Sequence, residues 1–168
     1  MPRKTKANAF SDELCEWLND RTRFGENVQW TPNHRLDRRG RDFVDVVGVL
    51  KPKKWPSILI EVELHREDPV SNVVKIFKWA QDNQKRHLVL FHAFSGLYRI
   101  KKAERKERAL WLGGKFEKEC ASTYIPLNLK YSPRQGGRFG GGRRTKAAKL
   151  LARQVMEHIL KLKLVAHR

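Results

Sequence analysis

Asp45-Val-Val-Gly-Val-Leu50 and Ile58-Leu-Ile-Glu-Val-Glu-Leu64 are two apolar, strand-like runs separated by the turn-rich Lys51-Pro-Lys-Lys-Trp-Pro56. The first opens on an acid, and the second carries two acids one residue apart. Side chains alternate faces along a strand, so Glu61 and Glu63 share one face and Ile60, Val62 and Leu64 the other. If the two runs pair, Asp45 lies beside the Glu61/Glu63 pair. Three neighbouring carboxylates repel one another unless a cation neutralises them. The pattern therefore predicts a pair of neighbouring strands and a metal site on them.

Ser11 is placed to cap a helix running to about Thr22, with Phe10, Leu14, Trp17 and Leu18 as its apolar stripe. Asn27 to Thr31 reads as a first short strand and Pro32 to Gly40 as a turn-rich basic connection. Phe43 to Leu50 is the second strand and Ser57 to Leu64 the third. Asp68-Pro69 combines a capping acid with proline at the first helical position, which opens a helix whose apolar face is Val70, Val73, Val74 and Phe77. His87 to Ala93 is a fourth strand. Lys101 to Cys120 is helical, split at Gly113-Gly114. Tyr124 to Leu129 is a further strand, Ser132 to Arg144 a Gly- and Arg-rich loop, and the spacing of Ala147, Leu150, Leu151, Val155, Ile159 and Leu162 marks a last amphipathic helix. Short links make the first three strands an antiparallel meander, and the helix before the fourth permits a right-handed crossover to a parallel neighbour. The expected class is α/β, with a mixed sheet flanked by helices.

The chain is 168 residues, the size of one domain, with 40% hydrophobic residues to build a core. No apolar run reaches the length of a membrane span, and the basic N-terminus lacks the apolar region of a signal peptide. Cys15 and Cys120 are far apart and outside any Cys-x-x-Cys context, which predicts two buried thiols in a reducing, cytoplasmic setting rather than a disulfide framework or a zinc site. Lys and Arg number 36 against 18 acids, for a net charge of +18. From Lys130 to Arg168 there are eleven basic residues and one acid, Glu157. A basic arm over about residues 1–9 and this basic tail over about residues 130–168 point to a polyanion, with DNA the leading candidate partner.

The element order and the position of the acids resemble the PD-(D/E)xK nuclease superfamily, over roughly residues 10–95. That resemblance implies a restriction-endonuclease-like fold with a core of helix, three-stranded meander, helix and strand. Val44-Asp45 stands where the family has Pro-Asp, and Glu61-Val62-Glu63 stands where it has Glu-or-Asp, any residue, Lys. Glu63 replaces the lysine, as in a subset of restriction endonucleases in this superfamily. The resemblance implies a Mg²⁺-dependent DNA endonuclease, with Mn²⁺ as a possible substitute, acting as a homodimer with one active centre per strand. Asp45, Glu61 and the Val62 carbonyl would be metal ligands. Glu63 would accept the proton of the attacking water or help hold a second metal. A restriction-type enzyme is the first expectation and a Holliday-junction or other structure-specific resolvase the second. From another class, a non-catalytic DNA-binding or ribonucleoprotein component would use the same basic surface.

Around this motif lie the auxiliary candidates. Glu13, on the first helix where many members of the superfamily carry a further metal-site acid, is preferred to Glu16. Asp42 is three residues before Asp45, so alternation sends it to the other face, where it fixes the hairpin or pairs with Arg41; a metal-ligand role is the alternative. His65 and Arg66 directly follow the acidic strand. Asn72 and Lys75 are three apart, hence on one side of the second helix; Lys75 is placed to reach back and replace the missing lysine, and Asn72 to face DNA. His87 and His92 read as structural. Arg134, Arg138, Arg143 and Arg144 frame glycines that let backbone approach phosphate, and arginine binds phosphate or guanine bidentately.

Overall fold

The computed structural model describes residues 6–20, 27–36, 42–52, 55–64, 68–99, 102–129 and 141–162, without the side chains of 6–8 and 141–143. Its element order is α1 (Lys6–Asp20), β1 (Val28–Arg35), β2 (Phe43–Leu50), β3 (Ile58–Glu63), α2 (Val70–Asp82), β4 (Val89–Phe94), α3 (Ala103–Cys120), β5 (Thr123–Asn128) and α4 (Gly141–Lys161), with a short 3-10 turn at Gly96–Arg99. One five-stranded sheet has the spatial order β1-β2-β3-β4-β5. β1, β2 and β3 form the expected antiparallel meander, while β4 and β5 continue the sheet in parallel. The chain is therefore α/β with a mixed sheet. Among the described residues no helix is long and apolar enough to cross a membrane.

Two apolar layers sandwich the sheet. Phe10, Leu14 and Leu18 of α1 and Ala148, Leu151, Val155 and Ile159 of α4 pack on Val46, Ile60 and Phe91. On the other face Val73, Ile76 and Ala80 of α2 and Ala109 and Phe116 of α3 pack on Val47, Leu59 and Leu90. β3 and β4 are buried along their whole length because helices cover both faces of the sheet centre. The Cys15 and Cys120 thiols are free and buried, and burial pushes the Cys15 thiol up to about 11.

Several elements differ from expectation. Ser11 does not start α1; the helix begins at Lys6, and Ser11 is buried inside it. β1 runs through Pro32 to Arg35. It is an edge strand, where a proline's missing N–H can face away from the ladder. On α2 the buried positions are Asn72, Val73, Ile76 and Ala80, and Val74 is exposed. The start of α2 is as read: Pro69 has helical φ and ψ, and Asp68 Oδ1 accepts the Val70 N–H at 3.1 Å. The Gly/Arg-rich segment is helical from Gly141 onward, so Arg143 and Arg144 lie in the first turn of α4.

Gly113-Gly114 does not split α3. A Cβ at Gly113 would overlap the ring of Tyr124 on β5, whereas a Cβ at Gly114 would meet nothing within 4 Å. Close helix–strand packing selects the first glycine, and nothing in the structure explains the second. Gly113→Ala should therefore destabilise by about 1–3 kcal/mol through overpacking. Gly114→Ala should stabilise by up to about 1 kcal/mol, the helix-propensity difference. Urea unfolding of the two variants checks the pair; equal effects would contradict the packing described for Tyr124.

Candidate active site

The β2–β3 ladder pairs Gly48 with Ile58, Val47 with Leu59 and Val46 with Ile60. Continued by one step, the register sets Asp45 opposite Glu61. There the ladder stops and a side chain takes over: Asp45 Oδ2 accepts the Val62 N–H at 2.8 Å. Within a strand, the N–H and C=O of one residue point to the same neighbour. The Val62 carbonyl therefore faces the Asp45 side, while the next carbonyl, Glu63 O, accepts the Ser95 N–H on the β4 side. A carboxylate, Asp45, and a backbone oxygen thus border the gap where β2 and β3 part. Ser11 of α1 closes it from one side, its hydroxyl 3.4 Å from Asp45 Oδ1.

Glu61 and Glu63 do share a face, and that face is turned to α2. Lys75 Nζ lies 2.8 Å from Glu61 Oε1, with side chains only 14% and 2% exposed. The contact is an ion pair rather than a well-directed hydrogen bond, since Glu61 Oε1 has no partner of good hydrogen-bond geometry. Burial, followed by the nearby Asp45 charge, pushes the Glu61 carboxyl well above its usual range, and Lys75 pulls only partly against this. Lys75 therefore brings a positive charge to Glu61 from the neighbouring helix.

Glu63 is buried completely. Its Oε1 accepts Asn72 Nδ2 at 2.5 Å and lies 3.1 Å from His92 Nε2. His92 Nδ1 is in turn 2.9 Å from the Tyr124 hydroxyl. Tyr124 is held neutral, its acidity weakened by burial and by the charge of Glu63. Glu63 Oε2 is buried with no hydrogen-bond partner. Asn72, expected to face DNA, is turned inward, 1% exposed.

His92 and Tyr124 were not anticipated at the site. A signal existed for His92: it is the polar residue in the otherwise apolar run Val89-Leu-Phe-His-Ala-Phe94, and a buried polar side chain needs a partner. Tyr124 is 32 residues away in sequence and carries no such signal.

The auxiliary acids are placed elsewhere. Glu13 is held by Arg144 of α4, whose Nε donates at 2.7 Å and whose Nη2 also contacts it, and by the Thr145 hydroxyl at 3.3 Å. Residues two apart on a helix do not face the same way. With Ser11 directed at Asp45, Glu13 is directed at α4, and the structure does not bring it to the Asp45–Glu61 gap. Arg144, expected to bind DNA, accordingly ties α4 to α1. Asp42 is exposed at the start of β2. His65, Arg66, Arg134 and Arg138, and the side chain of Arg143, lie outside the described residues, as do the basic arm and Arg41.

Among the described residues no three His, Cys, Asp or Glu side chains gather as metal ligands. The set at the gap is two carboxylates, Asp45 and Glu61, with the Val62 carbonyl on the same edge. That is the number of carboxylates a hydrated Mg²⁺ commonly uses. The buried Glu61, repelled by Asp45 and only partly offset by Lys75, is the feature that fits added positive charge.

No family model matches the sequence, and no curated protein matches it.

The raised Glu61 carboxyl makes stability depend on pH. A group whose folded pKa exceeds its unfolded value binds more protons when folded, so its contribution falls as pH rises from the unfolded value through the raised one. Metal-free protein should lose stability over that window relative to Glu61→Gln, which has no such titration. Thermal melts of both proteins between about pH 5 and pH 8 measure the difference. Parallel pH profiles would contradict the burial and repulsion assigned to Glu61.

Proposed function

We propose that this chain is a metal-dependent DNA endonuclease with a restriction-endonuclease-like fold, in keeping with its resemblance to the PD-(D/E)xK superfamily. The observation that carries the reading is the Asp45–Glu61 pair at the parting of β2 and β3, with Lys75 Nζ 2.8 Å from Glu61, in a chain of net charge +18. Such acids in a chain otherwise built for polyanions need a purpose, and phosphodiester hydrolysis gives one.

Asp45 and Glu61 would hold Mg²⁺, or Mn²⁺ in its place, with the Val62 carbonyl available as a third oxygen. The ion supplies charge neutralisation at the phosphate and lowers the pKa of bound water. Lys75 takes the part of the lysine missing from the third motif position: its ammonium, held by Glu61, orients the attacking water and offers a proton donor to a phosphate oxygen. Glu63, enclosed by Asn72 and His92, does not reach the reacting water. Glu63 therefore takes neither the proton-accepting nor the second-metal part that the resemblance implies for it, and the proton of the attacking water leaves to bulk solvent.

A homodimer acting on duplex DNA as a restriction-type enzyme is the first form of this reading, and a structure-specific resolvase the second. A non-catalytic DNA-binding role is favoured by one observation: Lys75 already partly neutralises Glu61 without any metal. Incubating plasmid and branched DNA with the protein and Mg²⁺ separates the three. Fragments of fixed length from plasmid indicate a restriction-type enzyme, cutting confined to branch points a resolvase, and binding without cutting the non-catalytic role.

DNA binding itself should be steeply salt-dependent. Each phosphate neutralised by Lys or Arg releases counterions, so log affinity falls linearly with log salt, with a slope of about −0.9 per phosphate contact. Titrations in Ca²⁺ at several salt concentrations measure it. A flat response would remove the basic surface from the binding face.

A further inference from the structure

The polar side chains buried behind the gap form one connected line. It starts at Gly113, whose lack of a Cβ makes room for the Tyr124 ring. The Tyr124 hydroxyl meets His92 Nδ1 at 2.9 Å, His92 Nε2 meets Glu63 Oε1 at 3.1 Å, and Asn72 Nδ2 donates to the same oxygen at 2.5 Å. His92, Glu63 and Asn72 are each 1% exposed or less. The line joins β5, β4 and β3 to the first turn of α2. Lys75 follows Asn72 by three residues, on the same side of that helix.

We infer that Glu63 is a positioning residue: held by His92, which Tyr124 holds in turn, it accepts from Asn72 and so sets the seating of α2 that brings Lys75 Nζ onto Glu61. The inference rests on the nuclease reading only for its consequence in catalysis; the positioning itself is a statement about the metal-free protein.

Burying a carboxylate is expensive unless it is hydrogen-bonded, and a carboxylate in the middle of a protein needs a reason to be kept. Glu63 cannot touch DNA, since no part of it reaches the surface. Its backbone is fixed independently by the parallel pairing of β3 with β4 and by Ser95, which donates its N–H to Glu63 O at 3.0 Å and its hydroxyl to Leu64 O at 2.9 Å. Its side chain is therefore a rigid acceptor, and what it accepts from is the helix that carries Lys75. A lysine on α2 is set back from the sheet, unlike one on β3 itself, so where its ammonium falls depends on how α2 is seated. Asn72 and Lys75 thus give α2 two polar attachments to neighbouring acids on the same strand. The replacement of lysine by Glu63 and the transfer of the lysine to α2 become one arrangement rather than two departures.

The test reads the amine directly. Trace acetylation of intact, metal-free protein with acetic anhydride, followed by mass spectrometry, gives the relative reactivity of each lysine. In the wild type, Lys75 should be strongly protected compared with the exposed Lys78. Asn72→Ala should raise Lys75 reactivity about tenfold, the scale of one charge-assisted hydrogen bond, with the other lysines unchanged. Tyr124→Phe, which removes a single hydroxyl at the far end, should raise it by a smaller factor. It remains the deciding variant if Asn72→Ala fails to give a native circular dichroism spectrum. Protection of Lys75 unchanged in the folded variants overturns the inference.

Single-turnover cleavage in Mg²⁺ supplies the second reading. Asn72→Ala should slow cleavage in the wild-type background but add nothing in a Lys75→Met background, because both remove the same ammonium from the gap. Multiplicative losses would overturn the inference. Absence of any wild-type cleavage would instead overturn the nuclease reading, and acetylation would still decide the positioning.

Discussion

Asp45→Asn and Glu61→Gln are each expected to abolish Mg²⁺-dependent cleavage, by about three orders of magnitude or more, while DNA affinity stays equal or rises. Both changes keep side-chain shape and remove a negative charge. Without the charge the divalent ion is not held, so chemistry is lost. Without the charge the phosphate is also less repelled, so binding in the absence of metal is not. Stability should hold or improve, most clearly for Glu61→Gln. Glu61 is 1% exposed, and burial together with Asp45 penalises its charged form. Asp45→Asn relieves the same repulsion, but the amide must still accept the Val62 N–H through its oxygen, so its gain is smaller. Asp42→Asn, exposed and outside the gap, should be close to neutral in all three measurements. Plasmid cleavage in Mg²⁺, DNA titration in EDTA and thermal melting of the metal-free proteins give the comparison. Loss of cleavage together with collapse of stability in all three variants would make these acids structural.

Lys75→Met has the second largest expected effect, and it differs in sign on two of those measurements. Cleavage should fall by about 10²–10⁴-fold, the range for losing a group that manages a proton or a water in the transition state. DNA affinity should fall rather than rise, because a positive charge is removed beside two acids. Stability at pH 8 should drop by about 3 kcal/mol, since Glu61 is left buried without its partner. At pH 5 the drop should be smaller, because Glu61, its carboxyl already raised, escapes the penalty by taking up a proton. Adding Glu61→Gln should restore most of the lost stability and none of the activity. Urea unfolding at the two pH values measures the first part, and the double variant the second. A Lys75→Met protein with wild-type cleavage would place the ammonium outside the chemistry.

The central strands were legible because their boundaries are chemical. Phe43–Leu50 is apolar between polar, Gly- and Pro-containing segments, and its limits match the structure. The shared face of Glu61 and Glu63 follows from strand alternation and is borne out by their contacts with Lys75 and Asn72 on the same helix. Legibility failed where a long-range contact overrode a local rule. Proline reads as a breaker, yet an edge strand accommodates Pro32. Two glycines read as a split helix, yet Gly113 is a packing solution for a ring on a distant strand. Ser11 reads as a cap from its neighbours alone, while its actual partner, Asp45, is 34 residues away. The site follows the same division. Acids on adjacent strands could be placed together from pattern, and Lys75 from helix spacing. The inward turn of Asn72 depends on the buried Glu63 carboxylate of β3, and the line through His92 to Tyr124 depends on β5 lying beside β4, a pairing that local pattern does not specify.

The most direct measurement is the digestion of supercoiled plasmid by wild-type protein and Glu61→Gln side by side, with Mg²⁺ and with EDTA. Wild-type protein should convert the plasmid to nicked or linear forms in Mg²⁺ and leave it intact in EDTA, while Glu61→Gln binds the plasmid and leaves it intact in both. Cleavage by Glu61→Gln at the wild-type rate, or cleavage by wild-type protein in EDTA, would contradict a catalytic metal held by Asp45 and Glu61.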